Sequence, residues 1–150
     1  DVDSWVNHFS LIRNVQNKTN GFTEVVPLPF VHMGSPIYLQ GKSMSGPSWD
    51  EVVLIHSLAR IYFMNSIDNI QASWVKLGHD GAGKLLHAGV NDLGGTLINE
   101  NISRASGADH GQETTQDQFI QIIESENKNP VLRNTLYTEF IETKNTLEKR

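Results

Sequence analysis

Three short strand-like segments alternate with stretches of helical periodicity along this chain, and that order restricts its fold more than any other feature. The strand signals are residues 22–26, 67–74 and 90–93. Before the first of them Trp5, Val6, Phe9, Ile12 and Val15 recur at three- and four-residue steps, which predicts an amphipathic helix from about Asp3 to Asn20-Gly21. Pro27 and Pro29 stop the first strand, because proline cannot donate to a ladder. A long loop follows, and Ser48-Trp49-Asp50-Glu51 reads as a capping box that opens a second helix reaching about Asn65. Asp80 to His87, closed by Gly89, predicts a short helix, and residues 99–107 a helical turn. Thr115-Gln116-Asp117-Gln118 is a second capping box, leading a helix with Phe119, Ile120, Ile122 and Ile123 inward that Asn129-Pro130 ends. The tail to Arg150 reads either as an amphipathic helix through Leu136, Phe140 and Ile141 or as a frayed end.

Helix and strand in alternation is the order of a parallel α/β sheet, in which each crossover lays a helix over the strands. Three parallel strands with two open edges make a poor final structure, since each edge presents unpaired amides. The expectation is therefore part of a larger sheet or barrel. At 150 residues the chain is long enough for one domain. Its 12 Lys and Arg against 17 Asp and Glu are scattered, which argues against a nucleic acid partner. No cysteine is present, which excludes disulfides, thiolate-bound zinc, iron–sulfur ligation and thiol nucleophiles from these residues. No run of about 18 apolar residues and no signal peptide is found, so the expectation is a soluble intracellular protein with no membrane partner. The sequons at Asn17 and Asn101 are of the kind that arise by chance.

Several motifs carry possible chemistry. Gly78-His79-Asp80-Gly81-Ala82-Gly83-Lys84 matches the glycines and lysine of a phosphate-binding loop, but Leu85 stands where a magnesium-ligating Ser or Thr belongs, so a plain capped helix is favoured. The six histidines show no metal-site spacing. His8, His56 and His87 lie in predicted helices as structural residues, whereas His32 and His110 stand in glycine-rich segments after strands, where pockets gather. Gln71 and Ser73 share a strand face by period two, and Asn91 and Asp92 open the third strand. Polar groups inside a parallel sheet need partners, either a pocket or an internal polar layer. Gly94-Gly95-Thr96 permits close backbone approach to a ligand, and the Glu100 and Arg104 pair nearby reads equally as a surface salt bridge.

Longer phrases go further. Gly21-Phe22-Thr23-Glu24-Val25-Val26-Pro27-Leu28-Pro29-Phe30-Val31-His32, Ser35-Pro36-Ile37-Tyr38-Leu39-Gln40-Gly41, Asn69-Ile70-Gln71-Ala72-Ser73-Trp74-Val75-Lys76-Leu77-Gly78, Asn91-Asp92-Leu93-Gly94-Gly95-Thr96-Leu97 and Ile102-Ser103-Arg104-Ala105 occur in order, with Gly107 and His110-Gly111. Together, and with Arg133-Asn134-Thr135-Leu136-Tyr137 as a closing segment, they resemble the C-terminal part of the radical SAM half of FO synthase, the family that makes the deazaflavin chromophore FO. The resemblance covers about residues 3 to 137.

The resemblance implies a radical SAM (β/α)8 TIM-type barrel, with residues 1–130 supplying the fifth helix, strands six to eight and the last helices, and 131–150 a tail. It implies a [4Fe-4S] cluster and S-adenosylmethionine, and a 5'-deoxyadenosyl radical that fragments tyrosine. The 4-hydroxybenzyl group is then added to 5-amino-6-(D-ribitylamino)uracil, and a second radical SAM half or subunit closes the ring. It places Glu24, Pro27, His32, Gln71, Ser73, Asn91, Asp92, Thr96, Glu100, Arg104 and His110 near S-adenosylmethionine or the substrates, with no catalytic role assigned and no metal ligand among them. Apolar Val26 and Leu28 are expected to flank adenine, and the polar strand residues to meet the ribityl or uracil groups. The related radical SAM enzymes of menaquinone biosynthesis through futalosine share the Asn-Asp-Leu phrase, but the Gly94-Gly95 and Ser73-Trp74 pairs favour the deazaflavin branch. The family's CxxxCxxC cluster motif is missing, so the chain is expected to be inactive alone and to need the N-terminal half of the barrel. The alternative is a short non-catalytic protein that binds or complements a separate N-terminal half.

Overall fold

The computed structural model describes residues 2–96, 105, 107 and 113–143. Helix α1 spans Val2–Thr19, strand β1 Glu24–Val25, α2 Pro36–Leu39, α3 Trp49–Tyr62, β2 Asn69–Ile70 and α4 Trp74–Lys84, with a 3-10 turn at Leu85–His87. Helix α5 spans Gln116–Ser125, and β3, Val131–Arg133, pairs with β4, Phe140–Glu142. The fold is mixed α/β, and the described residues form no closed barrel.

The three expected strands lie side by side and parallel, each shorter than its sequence signal. Glu24 pairs with Asn69 and Val25 with Ile70. The third segment is a single bridge, Gln71 to Asp92, flanked by hydrogen bonds from Asn91 N to Ile70 O at 3.0 Å and from Ala72 N to Asp92 O at 2.9 Å. What shortens the second strand is Ser73, which takes the N-cap position of α4 rather than a place on a strand face. Gly94, at φ +78, turns the chain away from the third segment. The edge of β1 away from β2 has no strand partner among the described residues.

One face of this sheet is covered by helices. Val25, Ile70 and Ala72 are buried in a core with Phe9 of α1, Val52 and Ala59 of α3, and Phe63. Gln16 anchors the end of α1: its carboxamide accepts from Phe22 N at 2.8 Å and donates to Phe22 O at 3.1 Å and Ser66 O at 3.0 Å. Asn20 then leaves the helix at φ +49. Both capping boxes form as the sequence predicts, at Ser48 with Glu51 and at Thr115 with Gln118.

One expectation is borne out and one is corrected. Residues 78–84 are no phosphate loop but lie within α4, kinked at Gly78 (φ 69). Their glycines serve packing: a Cβ on Gly81 would meet Leu77 and Trp49, and one on Gly83 would meet Ile122 and Glu126 near the end of α5. Lys84 pairs with Asp80 at 2.7 Å. The described tail is a β-hairpin, not a helix through Leu136, Phe140 and Ile141. Asn134 closes its turn, with its Oδ1 accepting from Thr138 N at 3.0 Å and its Nδ2 donating to Thr138 Oγ1 at 2.8 Å, while Tyr137 adopts φ +55. That geometry is incompatible with continuing a right-handed helix.

Candidate functional site

In a strand successive side chains point to opposite faces, so the residues that alternate with Val25, Ile70 and Ala72 point away from the helices. Glu24, Val26, Asn69 and Gln71 are those residues, and Asp92 stands beside Gln71 through the bridge. The hairpin closes over this second face through Arg133 and Tyr137.

Arg133 grips Asp92 in a fork, Nε to Oδ2 at 2.6 Å and Nη2 to Oδ1 at 2.9 Å. Asp92 Oδ1 also accepts from Gly94 N at 2.6 Å. With a side chain only 7% exposed, Asp92 is a buried anion whose charge is met by a guanidinium in bidentate geometry. The same guanidinium lies 3.6 Å from Glu24 Oε2. Tyr137 donates its hydroxyl to that oxygen, and its ring lies under Arg133, 4.1 Å from centroid to guanidinium carbon. The hydrogen bond to Asp92 holds the Arg133 pKa above its ordinary value, against the opposing effect of burial. Burial first, then the bond to Glu24, pushes the Tyr137 phenol well above its usual range, so it stays a neutral donor. Beside this cluster a cleft of about 830 Å³ is lined by Asp92, Gly94, Gly95, Thr96, Arg133 and Asn134, with Phe119 and Ile120 of α5.

Of the expected site residues, Glu24, Asp92 and Gln71 are brought to one face, and Thr96 to the adjoining cleft. Gln71 carries the close approach of Gly94, where a Cβ would come within 2.8 Å of its Nε2. Pro27 lines a groove of about 760 Å³ along the open edge of β1, between α1 and α3, which Glu24 also lines. His32 lines a third cleft; its Nδ1 accepts from Gly46 N at 2.8 Å, which leaves the proton on Nε2. Ser73 is at the start of α4, outside the cluster. Asn91 lines the same cleft as Thr96 and also ties the structure together, because its Oδ1 accepts from Ile70 N at 2.9 Å and from Arg60 Nη2 at 2.6 Å, and Arg60 in turn donates to Gly89 O at 2.6 Å. Glu100, Arg104 and His110 lie outside the described residues.

Sequence reasoning missed the two hairpin residues. Arg133 and Tyr137 were legible only as a closing phrase, since their partners lie 41 and 113 residues away along the chain. His56 was read as structural, and its side chain is fully buried in α3. Its Nδ1 donates to Val52 O at 2.7 Å and its Nε2 has no partner among the described residues. Desolvation depresses its pKa, partly offset by the Val52 carbonyl.

Among the described residues no group of three or more His, Cys, Asp or Glu is arranged to hold a metal, and the chain has no cysteine. Its residues therefore do not fit an iron–sulfur cluster. No described helix is long and apolar enough to cross a membrane.

The family described as the CofH/MqnC C-terminal region matches residues 19–146. The 5-amino-6-(D-ribitylamino)uracil--L-tyrosine 4-hydroxyphenyl transferase of Methanopyrus kandleri is 50% identical over 133 residues, 89% of this chain and 36% of that protein. Its namesake in Methanothermobacter thermautotrophicus is 45% identical over 135 residues, 90% of this chain and 37% of the relative. FO synthase of Mycobacterium tuberculosis is 46% identical over 139 residues, 91% of this chain and 16% of that protein. The chain thus spans little more than a third of the transferases and 16% of that FO synthase.

Proposed function

Because the chain belongs to the CofH/MqnC C-terminal region family, we propose that it works as the C-terminal part of a radical SAM transferase. The reaction joins a tyrosine-derived 4-hydroxybenzyl group to 5-amino-6-(D-ribitylamino)uracil on the way to FO. The observation that carries this reading is the identity of 45 to 50% to two transferases named for that reaction, over about nine-tenths of the chain. The parallel order of β1, β2 and the Asp92 segment supports a further proposal, that residues 1–130 are the last βα units of a (β/α)8 barrel and 131–150 its tail. The groove along the open edge of β1 then seats the preceding strand, contributed by the N-terminal half of the barrel.

In this reading the face turned away from α1 and α3 looks into the barrel. Gln71, Asp92, Glu24 and Thr96 meet the substrates there, with Pro27, His32, Ser73, Asn91, Glu100, Arg104 and His110 as further candidates around S-adenosylmethionine or the substrates. The [4Fe-4S] cluster, which supplies the electron for radical formation, has no ligand in this chain and belongs to another part of the protein. The work assigned to these residues is binding and orientation, and the chain is inactive without that part. The FO-cyclising half or subunit is a candidate partner.

The test is to recover the native protein anaerobically and determine its intact mass. It is then incubated with S-adenosylmethionine, a reductant, tyrosine and the aminouracil. A protein that carries CxxxCxxC and forms the 4-hydroxybenzyl adduct supports the reading; futalosine-pathway chemistry in place of the adduct overturns it.

A further inference from the structure

We propose that Arg133 and Tyr137 are positioning residues that present Glu24 to the ammonium group of the amino-acid substrate. This rests on the function proposed above and deepens it by assigning one substrate group to one side chain.

The two carboxylates on the face turned away from α1 and α3 are held unequally. Asp92 is saturated: both oxygens are engaged by the Arg133 fork, and Oδ1 also takes the Gly94 amide. Glu24 receives a phenol hydroxyl and a guanidinium 3.6 Å away, both on Oε2. Among the described residues Oε1 has no hydrogen-bond partner, and the side chain keeps 31% of its exposure. One guanidinium stands against two carboxylates, and the Tyr137 phenol stays neutral, so the cluster holds one negative charge in excess. A carboxylate with a spare acceptor, fixed on its other oxygen and carrying unbalanced charge, favours a cationic donor.

Of tyrosine and the aminouracil only tyrosine carries an ammonium, because the amine on a uracil ring is conjugated and neutral; S-adenosylmethionine carries one as well, so its binding is measured alongside, and a loss in Glu24→Gln that falls on S-adenosylmethionine instead of tyrosine overturns the proposal. Arg133 and Tyr137 act through Glu24: the phenol fixes Oε2, which turns Oε1 outward, and the guanidinium spaces Glu24 from Asp92 across β2. The hairpin thereby takes part in selecting the substrate.

The experiment uses the whole native protein and measures equilibrium binding of tyrosine and of 3-(4-hydroxyphenyl)propanoate, which has the ring and carboxylate but no ammonium. Wild type is compared with Glu24→Gln and Tyr137→Phe, alongside KM for each substrate. The expected result is a loss of tyrosine affinity of roughly tenfold or more in Glu24→Gln and about threefold in Tyr137→Phe. The deamino analogue and the aminouracil should change by less than about twofold. Tyr137→Phe keeps the ring over Arg133, so the fold is preserved and a purely structural role predicts no such split. Equal losses for tyrosine and the analogue, or none for either, overturn the proposal. Ammonium-dependent binding in a protein that forms no adduct supports the proposal while the reaction reading falls. Turnover with tyrosine affinity unchanged in both variants overturns the proposal and leaves the reaction reading standing.

Discussion

Arg133 and Asp92, 41 residues apart in sequence, meet through two hydrogen bonds of 2.6 and 2.9 Å and join the C-terminal hairpin to the third parallel segment. Replacing Arg133 by Met leaves a buried carboxylate without its cation. Because Arg133 keeps 21% of its side-chain exposure, the expected cost is below that of a fully buried pair, about 2–3 kcal/mol. Arg133→Lys keeps the charge but loses the fork, and about 1 kcal/mol is expected. Urea unfolding of the three proteins measures this; an unchanged midpoint in Arg133→Met refutes the pairing as a source of stability.

His56 gives a pH dependence of definite sign. Burial lowers its folded pKa below the ordinary 6.5, so unfolding takes up a proton. The stability associated with neutral His56 is fully present above 6.5 and is lost as pH falls through the folded pKa. His56→Leu removes this dependence. As pH is lowered below neutral, the thermal midpoint of the wild type should therefore fall more steeply than that of His56→Leu; parallel curves contradict the assignment.

Gly89→Ala tests a close approach. Gly89 is at φ +93, and an added Cβ would stand 2.6 Å from Arg60 Cβ, while Arg60 donates to the Gly89 carbonyl at 2.6 Å. Backbone strain and displacement of the Arg60 stem act together, for a loss of about 2–3 kcal/mol. Differential scanning calorimetry reads it, and a loss below about 0.5 kcal/mol shows that the loop relaxes freely.

Gln71→Ala addresses function directly. In the proposed transferase, loss of its amide from the face turned away from α1 and α3 should lower turnover by about tenfold or more, with folding preserved because the side chain is only partly buried. Unaltered turnover removes Gln71 from the substrate face.

Local signals made much of this fold readable, and long-range pairing made the rest unreadable. The Ser48 and Thr115 boxes depend on residues three apart, so both helix starts were legible. The strand positions were legible from Pro27 and the β-branched runs, but Ser73 was misplaced, because a serine suits a strand face and a helix cap equally well. The tail misled through the spacing of Leu136, Phe140 and Ile141, which are 66%, 63% and 58% exposed. Their pattern reports no buried helical face, and the turn set by Asn134 decided the outcome. Asp92 was recognisable as a polar group in a strand and Glu24 only through the family resemblance, whereas the identity of their partners required the hairpin to be folded back.

The carboxamide of Gln16 gives α1 a chemical lifetime as well as a mechanical anchor. It meets an amide and two carbonyls, at Phe22 and Ser66, so its two ends are not interchangeable. Hydrolysis of that amide to a carboxylate would set a negative oxygen against two carbonyl oxygens, and one ageing event would loosen the helix, the entry to β1 and the approach to β2 together. Peptide mapping of stored protein should find the deamidated form enriched in the fraction that has lost its native fold.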